Sequence, residues 1–256
     1  MRDDARTAAS TKKMSLPTIF AIETSTERLS LAILCGREMH LREVDAGQRH
    51  SELALPLMRE LMSEASLVAT DIDVYAFGQG PGSFTGVRIA CGLTQGLALG
   101  AGKRVLPVQT QMALAETCGA GNVVVALNAR MGEIYFAAFR RSMVDNNWET
   151  VVSPALVKPE NLPVLAGNDW RGIGSAFDDL ILADQLAERY AGQLAGVDTN
   201  ALPSAREIAS IASREIATRG IAAALAPEFA APLYLRNKVA MTIAERAAQS
   251  LKKVAA

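Results

Sequence analysis

The sequence has 256 residues, of which 50% are hydrophobic and 21% are charged, so it can bury a sizeable core, and we expect a folded chain rather than a disordered one. Lysine and arginine total 26 against 27 aspartate and glutamate. The net charge therefore gives no reason to expect a nucleic acid or a membrane surface as a partner attracted by the protein's long-range electrostatic field. Cys35, Cys91 and Cys118 are widely separated and lack CxxC or Cys/His metal spacing. They favour a reduced, cytoplasmic protein over a disulfide framework or a metal site.

Residues 1–16 are polar and mixed in charge, and they lack the apolar stretch of a signal peptide. We predict a disordered tail, with either Met1 or Met14 as the start of translation. No run of about 18 uncharged apolar residues occurs in the sequence, so we expect no transmembrane helix.

Residues 17–120 show the periodicities of alternating strands and helices. The predicted elements are a hairpin over 18–34, a helix over 51–65, a strand over 72–77, a glycine-rich loop over 78–82, a helix over 84–100, a strand over 105–108 and a helix over 110–118.

Residues 123–140 repeat the strand, polar turn and strand of residues 18–35, at an offset of roughly 105 positions that aligns Glu23 with Asn128. Two similar lobes follow from this repeat, although two unrelated hairpins would share the same pattern. We expect an N-terminal lobe over 17–120 and a reduced second lobe over 121–256, whose C-terminal helices, over 205–220 and 242–253, pack back on the first. Residues 142–202 carry turn residues and give no clear elements.

The segment GQGPGSFTGVR joins the strand that ends near Phe77 to the next helix. Its backbone N–H groups and the positive end of the helix dipole could meet a phosphate, with Gly80, Gly82, Ser83 and Thr85 as the contacting residues. The segment is neither a Walker A loop nor a GxGxxG fingerprint. A tight turn that lets helix and sheet approach closely explains the same glycines.

Glycines recur every four residues along one face of the next helix, at Gly92, Gly96 and Gly100. Each glycine inside a helix costs about 1 kcal/mol relative to alanine, so close approach of another backbone would explain them. That backbone belongs either to the protein's own sheet or to a helix of a second subunit.

Five segments resemble the TsaB (YeaZ) family, the dimerisation subunit of the complex that makes threonylcarbamoyladenosine in bacterial tRNA. They are AIETSTERLSLAIL, HSELALPLM, GQGPGSFTGVRIACGLTQGLALG, NARMGEIYFAAF and APLYLRNKVA, in this order between about residues 17 and 240. The longest of these is the most distinctive.

The resemblance implies an α/β, actin-like (ribonuclease H-like) fold with a reduced second lobe, and a cytoplasmic, non-catalytic subunit. Such a subunit binds and activates TsaD, which transfers threonylcarbamoyl to the adenosine next to the anticodon of tRNA. The ATPase TsaE would join them, ATP or ADP would lie at the subunit junction, and tRNA would be reached through the complex. The resemblance leaves open whether such a subunit forms a homodimer in isolation.

The family's contact helices correspond here to residues 50–65 and 85–100. The partner-facing residues that we expect on them are His50, Leu53, Leu57, Leu61, Val87, Arg88, Cys91, Gly92, Gln95, Gly96 and Leu99.

The competing hypothesis is a stand-alone ATPase, kinase or glycoprotease-like hydrolase. His40 and His50 form no metal pair at helical spacing, and neither lies in a nucleophile elbow. Glu23 could hold Mg²⁺-phosphate at the first lobe, but its aligned counterpart, Asn128, is neutral. We therefore predict no catalytic residue, no metal site and no cofactor bound by the chain alone.

Overall fold

The computed structural model describes residues 16–119 and 121–236, which form two five-stranded mixed sheets. The first has the order β3-β2-β1-β4-β5 and the second the order β10-β9-β6-β7-β8. In each sheet the three strands that come first in the chain pair antiparallel with one another, and the two later strands continue the sheet in parallel from the first of these. The strands are β1 Ile19–Glu23, β2 Arg28–Cys35, β3 Glu38–Asp45, β4 Val74–Gly78, β5 Arg104–Val108, β6 Asn122–Asn128, β7 Ile134–Arg141, β8 Trp148–Val157, β9 Trp170–Ile173 and β10 Leu194–Asp198.

Five α-helices lie within the described residues, and none is long and apolar enough to cross a membrane. They are α1 His50–Glu64, α2 Phe84–Ala101, α3 Thr110–Cys118, α4 Leu182–Arg189 and α5 Ala205–Arg219. The predicted hairpins, strands and helices are confirmed to within about two residues. Strand β3 was not predicted, and neither were the elements between 142 and 202. The helix predicted over 242–253 lies outside the described residues.

The first sheet is covered on both faces. Helices α1 and α2 pack on one face, against alternate β1 residues such as Phe20 and Ile22, and helix α5 packs on the other, against Ile19 and Ala21. These β1 side chains are at most 1% exposed. Full burial of each large one stabilises the fold by about 1.5 to 3 kcal/mol, so this sheet is a rigid base for the helices above it.

Helix α3 connects the two lobes. Ala113 belongs to the core under α5, whereas Leu114 and Ala115 belong to the core of the second sheet. Beside them, the half-buried Glu116 accepts hydrogen bonds from three side chains, those of Arg141, Arg214 and Trp148. The α3 helix therefore ties both sheets and α5 together.

The repeat has equivalent topology in both sheets, but the sequence alignment is one residue out in the first strand. Ile22 pairs with Leu31 in the layer under α1 and α2, and Ala126 pairs with Phe136 in the corresponding layer under α4. The structural counterpart of Glu23 is therefore Leu127, not Asn128, because the turn of the second hairpin is one residue longer.

Candidate partner-binding face

The glycine-rich loop is closed by bonds to its own chain. Gly80 has a positive φ of 97° and precedes a cis peptide bond to Pro81. Its amide donates to Thr110 Oγ1 at 3.1 Å, and its carbonyl accepts from the Thr110 amide at 3.0 Å. The loop is therefore fastened to the first residue of α3.

The start of α2 is fastened to the β1–β2 turn. The Ser83 amide donates to the Ser25 carbonyl at 2.8 Å, and the Ser83 hydroxyl accepts from the Gly86 amide at 3.3 Å, which caps the helix. A side chain at Gly82 would overlap Ser25. Two of the four residues proposed to hold a phosphate, Gly80 and Ser83, thus have their amides bonded within the chain. Thr85 is exposed, and a phosphate at this loop stays a prediction.

Glu23 lies under this loop and is 0% exposed. Its carboxylate accepts hydrogen bonds from the Ser25 amide at 2.5 Å and from Thr110 Oγ1 at 3.0 Å. Desolvation by burial raises the pKa of Glu23 above its ordinary value, against the opposing effect of these hydrogen bonds. Gly78 has no room for a side chain because Glu23 fills the space. The carboxylate therefore holds the loop, β1 and α3 together, and it is not presented to a ligand.

The glycines of α2 fall into two groups. A Cβ at Gly86, in the first turn, would overlap the carbonyl group of Thr24, so this glycine is required by packing within the chain. A Cβ at Gly92, Gly96 or Gly100 would meet nothing within 4 Å, and all three residues are exposed. The open face formed by these three residues is called here the glycine face.

The residues predicted to face a partner divide by burial. Four are buried within the chain: His50, Leu61, Val87 and Cys91. Three are half-buried: Leu53, Leu57 and Gln95. Four are exposed: Arg88, Gly92, Gly96 and Leu99. The exposed members all belong to α2, and Leu99 is 71% exposed. The buried members instead hold α1 and α2 on the sheet.

The sequence patterns did not reveal that residues 227–236, called here the C-terminal strap, run along α2. The Gln95 amide donates to the carbonyls of Pro227 and Ala230, both at 3.0 Å. The Leu233 amide donates to the carbonyl of Gln79, in the glycine-rich loop, at 2.7 Å. Part of the strap lies in the segment APLYLRNKVA, which resembles the family but has no helical or strand periodicity.

Aromatic rings and an arginine form one exposed cluster between the strap and α2. The Arg88 guanidinium lies 3.2 Å from the ring centroid of Phe84 and 4.8 Å from that of Tyr234. The two rings are about half-exposed. The exposed surface of α2 therefore carries an aromatic ring near its start, Leu99 near its end, the glycine face between them and one cation stacked on the rings.

Within the described ranges, no group of three or more His, Cys, Asp or Glu side chains could hold a metal ion. Asn128 bonds instead to Asp179, through Nδ2–H to the carboxylate at 2.8 Å.

The chain matches over residues 44–244 the family model described as "TsaD: tRNA N6-adenosine threonylcarbamoyltransferase". It is 35% identical to the tRNA threonylcarbamoyladenosine biosynthesis protein TsaB of Haemophilus influenzae over 234 residues, which are 87% of this chain and 94% of that protein. The TsaB protein of Escherichia coli K12 is also 35% identical, over 235 residues that are 87% of this chain and 96% of that protein.

Among solved structures, YeaZ from Pseudomonas aeruginosa superimposes with a TM-score of 0.76 at 32% identity, covering 86% of this chain and all of that one. This match and the two equivalent sheets confirm the actin-like α/β fold. The chain belongs to the family that the model describes and, within it, to the TsaB proteins.

Proposed function

We propose that this protein acts in the biosynthesis of threonylcarbamoyladenosine in tRNA as a non-catalytic subunit that binds and activates a TsaD transferase. Membership of the TsaB family, whose curated relatives are named for this pathway, supports the pathway. The proposal that a TsaD protein is the partner has further support from the matching family model, because a chain of similar fold would present similar helices. Two related helix faces can pack about a pseudo-twofold axis.

The single observation that carries the binding role is the open glycine face. Gly92, Gly96 and Gly100 each lower the stability of α2, yet within the described chain a Cβ at any of them would meet no atom within 4 Å. Small residues on a helix let another helix approach closely, and Leu99 beside them adds exposed apolar surface. A helix of a second chain would use both features.

The proposed absence of chemistry in this subunit is supported by Glu23, the carboxylate best placed to serve a phosphate. It is fully buried and already accepts bonds from Ser25 and Thr110. We propose that the transfer step belongs to TsaD, that the ATPase TsaE and tRNA join through the complex, and that ATP or ADP lies at the subunit junction. Equilibrium dialysis of ATP with the chain alone and with the complex would test the last point.

Size-exclusion chromatography of the chain with TsaD from the same organism tests the binding role. We expect one co-eluting complex, which Gly92→Leu and Gly96→Leu should abolish because each leucine fills the space for the partner backbone. Ala217→Leu is the matched control, because Ala217 is an exposed small residue on α5, on the opposite face of the first sheet. This variant should still co-elute.

Failure of the unsubstituted chain to co-elute, with or without TsaE and ATP, contradicts the proposed function. Co-elution of a folded Gly96→Leu chain contradicts the glycine face as the contact. If the chain forms no complex with TsaD but forms a homodimer that the same leucine variants dissociate, the occupant of the glycine face is a second copy of this chain and not TsaD.

A further inference from the structure

The C-terminal strap is fixed at both ends. Its first half is held on α2 by the two bonds from Gln95 and by the Cys91 thiol, whose Sγ lies 3.6 Å from the Ala230 carbonyl oxygen. Leu233 then bonds to Gln79, as described above. The strap therefore keeps a defined path although it has no helix or strand beyond a single short turn at 227–229.

Arg236 fastens the far end to the second lobe. Its guanidinium donates to the Ala129 carbonyl at 2.9 Å and pairs with the Glu133 carboxylate at 2.7 Å, and both side chains of the ion pair are largely buried. These contacts fall on the β6–β7 turn, in which three consecutive residues, Arg130, Met131 and Gly132, have positive φ. Arg236 therefore binds a turn whose positive φ values are uncommon for non-glycine residues. Because Leu233 bonds to Gln79 of the glycine-rich loop, the strap connects the two lobes past this loop.

A strap with a fixed backbone still presents large side chains to solvent. Phe229 is 72% exposed and Tyr234 is 50% exposed. Tyr234 contacts the Phe84 ring at a centroid distance of 6.5 Å, with Arg88 beside both. Exposed aromatic and arginine side chains on a fixed backbone are the usual anchors of protein interfaces, since little conformational entropy is lost when they bind.

A pocket of about 240 Å³ lies where the strap meets the glycine face. It is lined by Gln95, Gly96 and Leu99 of α2 and by Pro227 and Glu228 of the strap. The strap is therefore one wall of a groove whose other wall is α2 at Gly96, the middle residue of the glycine face. The helix α1 lies on the other side of α2, where Leu93 and Leu97 pack into their common core.

We propose that the C-terminal strap is a third component of the TsaD-binding surface, in addition to α1 and α2, and that Arg236 is its positioning residue. This inference rests on the proposed function. The occupant is the TsaD partner, whose apolar helix would lie on the glycine face between α1 and the strap, with Phe229 and Tyr234 packed on its flank. A carboxylate of that helix would face Arg88.

The direct contacts are tested by isothermal titration calorimetry with TsaD. Tyr234→Ala and Phe229→Ala should each weaken the affinity at least about tenfold, as expected for truncated interface anchors. Leu180→Ala is the matched control, because Leu180 is a 92% exposed apolar residue of the second lobe. It should leave the affinity unchanged.

The positioning role is tested with Arg236→Ala and Arg236→Lys. The alanine variant should expose the Leu233 amide to hydrogen exchange and weaken TsaD binding, while the amides of α2 keep their protection. Lysine keeps the charge for Glu133 but loses the forked geometry, so it should restore the affinity in part. Arg219→Ala, which removes an exposed ion pair on α5, should change neither readout.

Wild-type affinity in both the Tyr234→Ala and Phe229→Ala chains would overturn the strap proposal and leave the proposed function intact. So would an Arg236→Ala chain with a still-protected Leu233 amide and unchanged binding. No binding by the unsubstituted chain would overturn the proposed function, and the strap proposal with it.

Discussion

Replacing the exposed glycines of α2 by alanine should stabilise the isolated protein. Gly92 and Gly96 lie inside a helix of 18 residues, and a Cβ at either position meets nothing within 4 Å. Alanine there removes the helix penalty of glycine, about 0.8 to 1.0 kcal/mol at each position. The free energy of unfolding of the double variant should therefore be higher by about 1.5 to 2 kcal/mol, which raises Tm by about 3 to 8 °C for a chain of this size.

The same two methyl groups should weaken binding to TsaD. If a partner helix lies on the glycine face, each added methyl overpacks the contact at a typical cost of about 1 to 3 kcal/mol. A cost of 1.4 kcal/mol is a tenfold change in Kd, so the double variant should bind at least about tenfold less tightly. Urea denaturation of the isolated chain and calorimetric titration with TsaD measure the two effects on the same preparation.

Opposite signs in the two assays are the specific outcome that this reasoning requires. A double variant that is more stable and binds TsaD normally would refute close backbone approach as the reason for these glycines. A double variant that is less stable in isolation would show that the positions are packed within the chain, contrary to the open surface seen around Gly92 and Gly96.

Three further substitutions test the chain's internal packing. Gly86→Ala should lower the free energy of unfolding by about 3 kcal/mol, measured by urea denaturation, because its Cβ overlaps the rigid backbone of Thr24. Burial raises the pKa of Glu23 above 4.5. The contribution of Glu23 to stability should therefore be greatest below pH 4.5, where its side chain is neutral, and should be lost as the pH rises through the pKa of the folded state. Glu23→Gln should abolish this loss of stability, measured as urea midpoints over a series of pH values. Glu116→Ala should cost about 2 to 3 kcal/mol by the same denaturation assay, because it leaves two half-buried arginines unpaired.

The fold was largely predictable because its elements have strong local signals. Strand β1 is a short apolar run, α1 and α2 show a helical period, and Ser83 and Gly102 mark the two ends of α2. Strand β3 was missed because it lies at the edge of the first sheet and is mostly half-buried or exposed, with charged residues between its apolar ones. Its pairing with β2 fixes it, and pairing is not a local property of the sequence.

The candidate site was predictable only in part, because burial depends on the whole fold. The glycine spacing pointed to α2, where the structure leaves an open face, but spacing could not tell that Leu61, Val87 and Cys91 pack inside the chain. The strap escaped prediction for a related reason. Its path is set by carbonyl contacts with Gln95 and by the reach of Arg236, and neither leaves a periodic pattern.

The α2 helix shows why glycine spacing needs three-dimensional context. Gly86 and Gly92 stand six residues apart in one helix, and both forgo the stability that alanine would give. At Gly86 the reason lies within the chain, where the β1–β2 turn touches the helix backbone. At Gly92 nothing in the described chain supplies a reason, so the cost is uncompensated in the isolated protein. A partner that packs on this face would compensate it, which makes the exposed glycines a more specific indication of an interface than the exposed leucine beside them.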